Sequence, residues 1–116
     1  MLINLLKSKI HRATVTHCNL NYEGSIGIDR KLMDACGFLP YEQVDVLNIN
    51  NGERFTTYII EEKAGSGIIS IRGAAARKAE VNDLVIICSY CQLTENEIKK
   101  FKPKVIKVDT KNKVKK

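Results

Sequence analysis

The sequence of 116 residues lacks the features that several classes of protein require. No apolar run approaches the roughly 20 residues that a membrane-spanning helix needs. The apolar start, residues 1–6, is followed at once by Lys7 and Lys9, which is not the pattern of a signal peptide. With two histidines and four cysteines, the chain is poor in metal ligands. We therefore expect no metal, no membrane partner and a cytoplasmic protein with reduced thiols.

Two of the cysteines form a Cys-x-x-Cys motif, Cys88 and Cys91. A zinc site needs two more ligands at similar spacing, and Cys18 and Cys36 are not paired in this way. A thioredoxin-like pair begins a helix, whereas this pair lies at the end of a predicted strand, where residues three apart face opposite sides. We interpret these residues as small buried or half-buried thiols.

The net charge of +6 is distributed unevenly along the chain. Residues 99–116 contain nine lysines and one aspartate, a net charge of +8, which leaves −2 for residues 1–98. Such a charge run is typical of a solvated end, and we predict a flexible basic tail over roughly 109–116. The body has no basic stripe with interleaved aromatic residues, which argues against a nucleic-acid partner.

Apolar periodicity predicts one β-rich domain, residues 1–116, with two or three short helices. Strands are expected over residues 1–10, 13–20, 26–28, 43–49, 53–62, 68–71 and 84–90. The Asn51-Gly52 dipeptide predicts a hairpin turn. Asp29 is a plausible helix N-cap with Gly37 as the stop, and Thr94 with residue 97 forms a capping box. Many short strands and frequent turns favour a compact barrel.

The stretch Tyr22-Glu23-Gly24-Ser25 carries a possible self-cleavage chemistry. Gly24 has no Cβ, so its carbonyl can be approached closely. The hydroxyl of Ser25 can attack the preceding peptide bond if the developing oxyanion is stabilised. Taken alone, these four residues favour an ordinary turn, because glycine and serine are both common turn formers.

Arg54 and Tyr58 lie four residues apart on a predicted strand and so share one face. A guanidinium binds a carboxylate through two hydrogen bonds, and a phenol can transfer a proton. Taken alone, the pair is also typical of a strand surface without a task. Thr57 points to the other face of an ideal strand and can join the same site only through a bulge, a twist or a subunit boundary.

Gly73-Ala74-Ala75 follows a strand and begins a short helix, so its backbone N–H groups are free to bind a polar ligand. The small side chains allow a ligand to come close. As a motif this is weak, because most such turns merely pack tightly.

Together these segments resemble the aspartate alpha-decarboxylases, small pyruvoyl-dependent enzymes. The combination of motifs in this order, in a chain of this length, is highly specific. The matching segments are Lys9-Ile10-His11-Arg12, Val15-Thr16-His17, Tyr22-Glu23-Gly24-Ser25, Asn51-Gly52, Arg54-Phe55, Thr57-Tyr58, Ile68-Ile69-Ser70 and Gly73-Ala74-Ala75-Ala76.

The resemblance implies a mainly β fold, a double-psi β-barrel with a few short helices, assembled as a homotetramer with sites between subunits. It implies self-cleavage between Gly24 and Ser25 into residues 1–24 and 25–116, which turns Ser25 into a covalent pyruvoyl group. The implied reaction is decarboxylation of L-aspartate to β-alanine and CO2 for pantothenate biosynthesis.

The resemblance also implies a role for each candidate residue. Thr57 would stabilise the oxyanion during cleavage and contact the substrate, and Tyr58 would protonate the carbanion that decarboxylation leaves. Lys9 and Arg54 are the cations suited to a dicarboxylate, and which of them binds which carboxylate stays open. The backbone of Gly73, Ala74 and Ala75 would line the site.

The chain departs from this family pattern at two positions. Arg72 stands where some relatives carry a neutral asparagine, and Leu47 stands where some carry an aromatic residue. Both concern the shape of the pocket rather than the type of reaction.

A second hypothesis is a non-catalytic β-barrel whose lysine-rich end binds nucleic acid in a salt-sensitive manner. The slightly acidic body argues against it. A denaturing gel separates the two hypotheses, because only the enzyme is cut before residue 25.

Overall fold

The computed structural model describes residues 1–115, which form eight strands and a few short helices. The elements in chain order are β1 (Leu2–Thr14), β2 (His17–Asn19), β3 (Ser25–Asp29), α1 (Arg30–Cys36), β4 (Gln43–Asn48), β5 (Arg54–Glu62), β6 (Ile69–Arg72), a 3₁₀ helix (Gly73–Lys78), β7 (Leu84–Thr94), α2 (Glu95–Ile98) and β8 (Lys104–Lys107). The prediction of a mainly β chain with a few short helices is confirmed. None of the helices within these residues is long and apolar enough to cross a membrane.

The short link between β1 and β2 requires the sheet to curl on itself. The strand order is β2-β6-β3-β5-β4-β7-β1-β8, so β1 and β2 are six strands apart, about 29 Å in a flat sheet. Only Val15 and Thr16 separate the two strands in the chain, and three peptide steps span about 11 Å at most. The N–H of Val15 donates to the carbonyl of Asp83 and that of Thr16 to the carbonyl of Ile69. The curled sheet agrees with the predicted barrel.

The interior of this sheet is filled by branched apolar side chains, most of them isoleucine and valine. On β4 the buried residues are Val44, Val46 and Asn48, while Asp45 and Leu47 on the other face are half-buried. Helix α1 adds Leu32 and Met33 to the same core. The isoleucines and valines of the other strands that are fully buried are Ile10, Ile26, Ile28, Ile59, Ile69, Ile71, Val85 and Ile87.

Three local sequence signals have the predicted structure. Helix α1 ends at Gly37, whose φ is 75°. The turn at Asn51-Gly52 closes β4 onto β5, with φ of 76° at Gly52. Thr94 and Glu97 form a reciprocal capping box at the start of α2. Each signal depends on residues a few positions apart, which is why the sequence reveals it.

The first strand differs from the prediction. Residues 1–10 were expected to form a buried strand, but Leu2 is 59% exposed and β1 continues to Thr14. Residues 13–20 do not form one strand, because the chain crosses from β1 to β2 at Val15 and Thr16. The alternation in this segment therefore reflects two strands joined by a crossing.

Within the predicted flexible tail over 109–116, residues 109–115 contact the rest of the chain; Lys116 lies outside the described residues, and the flexibility of the tail stays a prediction. Strand β8 pairs in parallel with β1, and the turn after it is held by Asn112, which is 1% exposed. The Asn112 amide accepts from the N–H of Thr14 at 2.8 Å and donates to the carbonyls of Thr14 and Gly67, each at 2.8 Å. The lysine count carries no information about these contacts, which span 98 and 45 residues.

The buried carboxylate of Asp29 ties the end of β3 to a distant turn. It accepts hydrogen bonds from the N–H groups of Lys31 at 2.8 Å, Gly65 at 2.9 Å and Gly67 at 2.8 Å. Burial alone raises the pKa of Asp29, but these hydrogen bonds and nearby Lys113 outweigh burial and hold the pKa below its usual value. The charged form therefore stabilises the fold.

We expect Asp29→Asn to lower the free energy of unfolding by about 2 kcal/mol at pH 7, because hydrogen bonds to a charged acceptor are lost. A depressed folded-state pKa gives stability that is present above the unfolded pKa and lost as pH falls through the folded one. The difference between parent and variant should therefore shrink at pH 3. Urea unfolding at both pH values measures it, and Asp34→Asn, at an exposed ion pair, is the control. Equal stabilities of parent and Asp29→Asn at pH 7 would contradict this role.

Candidate active site

Ser25 is the first residue of β3 and lies between two neighbouring strands. It is 3% exposed and stands opposite Arg72 of β6. On the other side, Ile26 pairs with Ile59 of β5, so continuing this register by one residue brings Ser25 beside Tyr58. The Ser25 hydroxyl donates only a long hydrogen bond, 3.4 Å, to the carbonyl of Glu23. The position of Ser25 is thus fixed by the strand, while its hydroxyl group is held only by this long hydrogen bond.

The backbone of Gly24 is in close contact with Gly73. A Cβ on Gly73 would lie 2.6 Å from both the Cα and the N of Gly24 and 2.9 Å from the carbonyl oxygen of Tyr22. Gly73 also has a φ of 73°, which favours glycine. Gly24 itself is not among the residues with positive φ, and a Cβ there would first meet the carbonyl oxygen of Arg72 at 4.0 Å. The close contact between the two backbones therefore excludes a side chain at residue 73, whereas residue 24 has room for one.

Gly73 also begins the predicted short helix, which is a 3₁₀ helix over Gly73–Lys78. Gly73 is buried, Ala74 is exposed and Ala75 packs against the core. The first N–H groups of a helix have no partner within it. The first of these N–H groups therefore belongs to Gly73, the residue that contacts Gly24.

Tyr58 and Arg54 lie on the outer face of β5, and Thr57 lies on the opposite face, as the strand alternation predicted. Tyr58 is 36% exposed, and its ring centroid is 6.5 Å from that of Tyr41, which is 75% exposed. Arg54 and Tyr58 are four positions apart on the strand, a distance of about 13 Å. Of the two, only Tyr58 neighbours Ser25.

Lys9 does not lie on a strand next to that of Ser25. The strand registers place Lys9 opposite Cys88, and Cys88 opposite Asp45. In the sheet order, β7, β4 and β5 stand between β1, which carries Lys9, and β3, which carries Ser25. The structure brings together Ser25, its preceding glycine and Gly73, but not the cation on β1.

The Cys-x-x-Cys pair lies inside β7, with Cys88 buried and Cys91 half-buried. Cys36 is buried as well, and burial raises its pKa to about 12. Burial raises the pKa of Cys88 as well, so Cys36 and Cys88 are protonated at neutral pH. The interpretation as small buried or half-buried thiols is confirmed.

One charged cluster next to Ser25 was not predicted. Arg72 pairs with Glu62, and its guanidinium carbon lies 5.4 Å from the centroid of the Tyr22 ring. A cavity of about 440 Å³ opens beside these three side chains and is also lined by Thr16 and Ser70. The sequence indicates that Arg72 departs from the family pattern. It does not indicate that Arg72 pairs with Glu62, ten residues earlier in the chain.

Comparisons with known proteins place this geometry in a family. The family model described as aspartate decarboxylase matches residues 1–115. An aspartate 1-decarboxylase of Caulobacter vibrioides is 57% identical over 116 residues, all of this chain and 98% of the relative. The enzyme of the same name from Caldicellulosiruptor saccharolyticus is 60% identical over 98% of this chain and 89% of its own. That of Ralstonia pickettii is 54% identical over 97% and 93%.

The contact between Gly73 and Gly24 predicts a large cost for Gly73→Ala. Positive φ alone costs about 1 kcal/mol for alanine, and the overlapping Cβ raises the total to about 3 kcal/mol. Gly52→Ala is the matched control, because Gly52 has a φ of 76° and nothing within 4 Å of its Cβ position. Urea unfolding of both variants isolates the contact. Equal losses would mean that the two backbones do not touch.

Proposed function

Since the chain belongs to the aspartate decarboxylase family, we propose that it acts through a pyruvoyl group made from its own Ser25. Membership gives the activity itself: the enzyme decarboxylates L-aspartate to β-alanine and CO2. The observation that carries the proposal is the fixed position of the Gly24–Ser25 peptide. The residue before the bond packs against Gly73, and the residue after it is buried at the start of a strand.

In the proposed cleavage, the Ser25 hydroxyl oxygen attacks the carbonyl carbon of Gly24, and the peptide C–N bond breaks to leave an ester. Loss of the Ser25 α-proton then expels Gly24 as a carboxylate and leaves a dehydroalanine. Addition of water and loss of ammonia convert this residue to a pyruvoyl group at the start of 25–116. No oxidant or reductant is required.

The oxyanion of this step needs a hydrogen-bond donor, and Thr57 is the proposed one. Continuing the register between β3 and β5 by two residues brings Thr57 level with Gly24. The side chain of Thr57 lies on the face of β5 opposite to Tyr58, and it is half-buried. Thr57 and Tyr58 can therefore serve the two faces of the strand in different steps or in different sites.

The residues around Ser25 fit a small covalent carbonyl group, because Gly73 and Ala74 add little bulk and their helix begins with free N–H groups. A pyruvoyl group supplies an electrophilic ketone for the substrate amine and a sink for the electrons released with CO2. Tyr58, exposed beside Ser25 in the register, is the proposed donor of a proton to the carbon that loses the carboxylate.

We propose that the complete site lies between subunits of a homotetramer. Lys9 and Arg54 are the cations proposed to bind the two carboxylates of aspartate, yet three strands stand between the strand of Lys9 and that of Ser25 in the sheet order of one chain. A second chain can supply these groups. The exposed ring of Tyr41 beside Tyr58, and the exposed side chain of Leu39 two residues before Tyr41, support a subunit contact there.

For Ser25→Ala we expect a folded, uncut and inactive protein, because the attacking hydroxyl is removed. A denaturing gel and an assay for CO2 release from aspartate measure the two effects. Ser66→Ala, in an exposed turn, is the control and should be cut and active. Normal CO2 release by uncut Ser25→Ala would disprove the mechanism.

For Tyr58→Phe we expect cleavage to be retained and kcat to fall about 100-fold, the size of effect typical for loss of a proton donor. The ring remains, so packing against Tyr41 is kept. Tyr41→Phe is the matched control, since it removes a neighbouring hydroxyl without this role. Steady-state kinetics of the cut protein measures kcat for each variant. An unchanged kcat for Tyr58→Phe would show that Tyr58 is not the proton donor.

A further inference from the structure

An ion pair crosses the outer face of β3 directly beside Ser25. Along this strand Ser25, Gly27 and Asp29 share the face turned away from the core. Glu62 of β5 stands opposite Asp29, and Arg72 of β6 stands opposite Ser25. The side chains of Glu62 and Arg72 nevertheless meet. Their pair therefore runs diagonally over the residue midway between, which is Gly27.

The Glu62 side chain occupies the space that a side chain at Gly27 would fill. Its φ is not positive, so no backbone strain calls for glycine there. A Cβ at Gly27 would lie 2.9 Å from both Cγ and Cδ of Glu62 and would overlap its carboxylate. The absent side chain leaves the space in which Glu62 reaches Arg72.

The ion pair is shielded and extends to the segment before the scissile bond. The side chains of Arg72 and Glu62 are only 25% and 17% exposed, so water weakens their attraction less than that of a surface pair. The Arg72 guanidinium lies over the ring of Tyr22, a cation–π arrangement. Tyr22 itself is 59% exposed and lies in a loop.

These contacts join the two sides of the proposed cut. Tyr22 lies two residues before Gly24, on the side that becomes fragment 1–24. Glu62 and Arg72 lie on the side that becomes 25–116. The next residue after Arg72 is Gly73, whose backbone touches Gly24. The end of β6 and the residue after it thus hold the segment before the cut in two ways. The Arg72 side chain contacts Tyr22, and the Gly73 backbone contacts Gly24.

We propose that Glu62 and Arg72, laid over Gly27, are positioning residues that hold the Tyr22–Gly24 segment for attack by Ser25. We call these two residues with Tyr22 the clasp. The inference rests on the proposed self-cleavage and adds what sets its rate. The clasp touches no reacting atom; it limits the positions that the Gly24 carbonyl can take relative to the Ser25 hydroxyl.

The test follows self-cleavage in time from cell-free synthesis onward, by intact mass, for Arg72→Met, Glu62→Gln, the double variant, Arg72→Lys and Tyr22→Leu. Glu61→Gln is the matched control, because Glu61 is the neighbouring residue on β5 and forms a surface pair with Arg30. Urea midpoints are measured in a Ser25→Ala background, where all chains stay uncut. They confirm that each variant is folded under the cleavage conditions.

We expect Arg72→Met to slow cleavage about tenfold, since small misplacements of a reacting group have effects of this size or larger. Glu62→Gln should slow it comparably, and the double variant should be no slower than Arg72→Met, because the two residues act as one unit. Arg72→Lys should recover part of the rate. Tyr22→Leu should slow cleavage about threefold, as expected for a partly exposed cation–π contact. Glu61→Gln should be cut like the parent.

Cleavage of folded Arg72→Met at the parental rate would overturn the clasp while leaving the proposed function intact. Fully additive effects of the two single variants would also overturn it, since independent residues do not form a unit. If Arg72→Met does not fold, Tyr22→Leu decides, because an unchanged rate for this exposed residue contradicts the proposal. A parent chain that decarboxylates aspartate without being cut would overturn the proposed function and the clasp together.

Discussion

The close contact between the backbones of Gly73 and Gly24 is the constraint on which the candidate site depends. It joins the start of the 3₁₀ helix to the residue before Ser25, and only glycine at 73 allows it. The neighbouring strands then fix Ser25 itself, since β3 is buried along its whole length between β5 and β6. A peptide bond held at both ends in this way has few conformations, which favours an intramolecular attack.

Much of the fold could be predicted from local sequence patterns, and the rest could not because it depends on distant contacts. The hairpin turn at Gly52, the cap at Asp29 and the box at Thr94 each involve residues close in sequence. The barrel-like closure depends instead on a two-residue link between strands that lie far apart in the sheet order. The contacts at the end of the chain could not be predicted for the same reason, because Asn112 makes them with Thr14 and Gly67.

The candidate site shows the same division. The sequence revealed the Gly24-Ser25 pair, the opposite faces of Thr57 and Tyr58 and the helix start at Gly73, all of which follow from spacing and residue type. It did not reveal that Glu62 and Arg72 would meet, because they lie on two strands that are neighbours of β3 and not of each other. Nor could spacing tell that Lys9 stands four strands away from Ser25 in its own chain.

The most direct measurement is the intact mass of freshly purified, active protein under denaturing conditions. The account predicts two chains, residues 1–24 and 25–116, with a carbonyl group in place of the amine at the start of the larger one. Reaction with a hydrazine reagent should label only that larger chain. A single chain of 116 residues that retains full activity and an unmodified Ser25 would contradict the account.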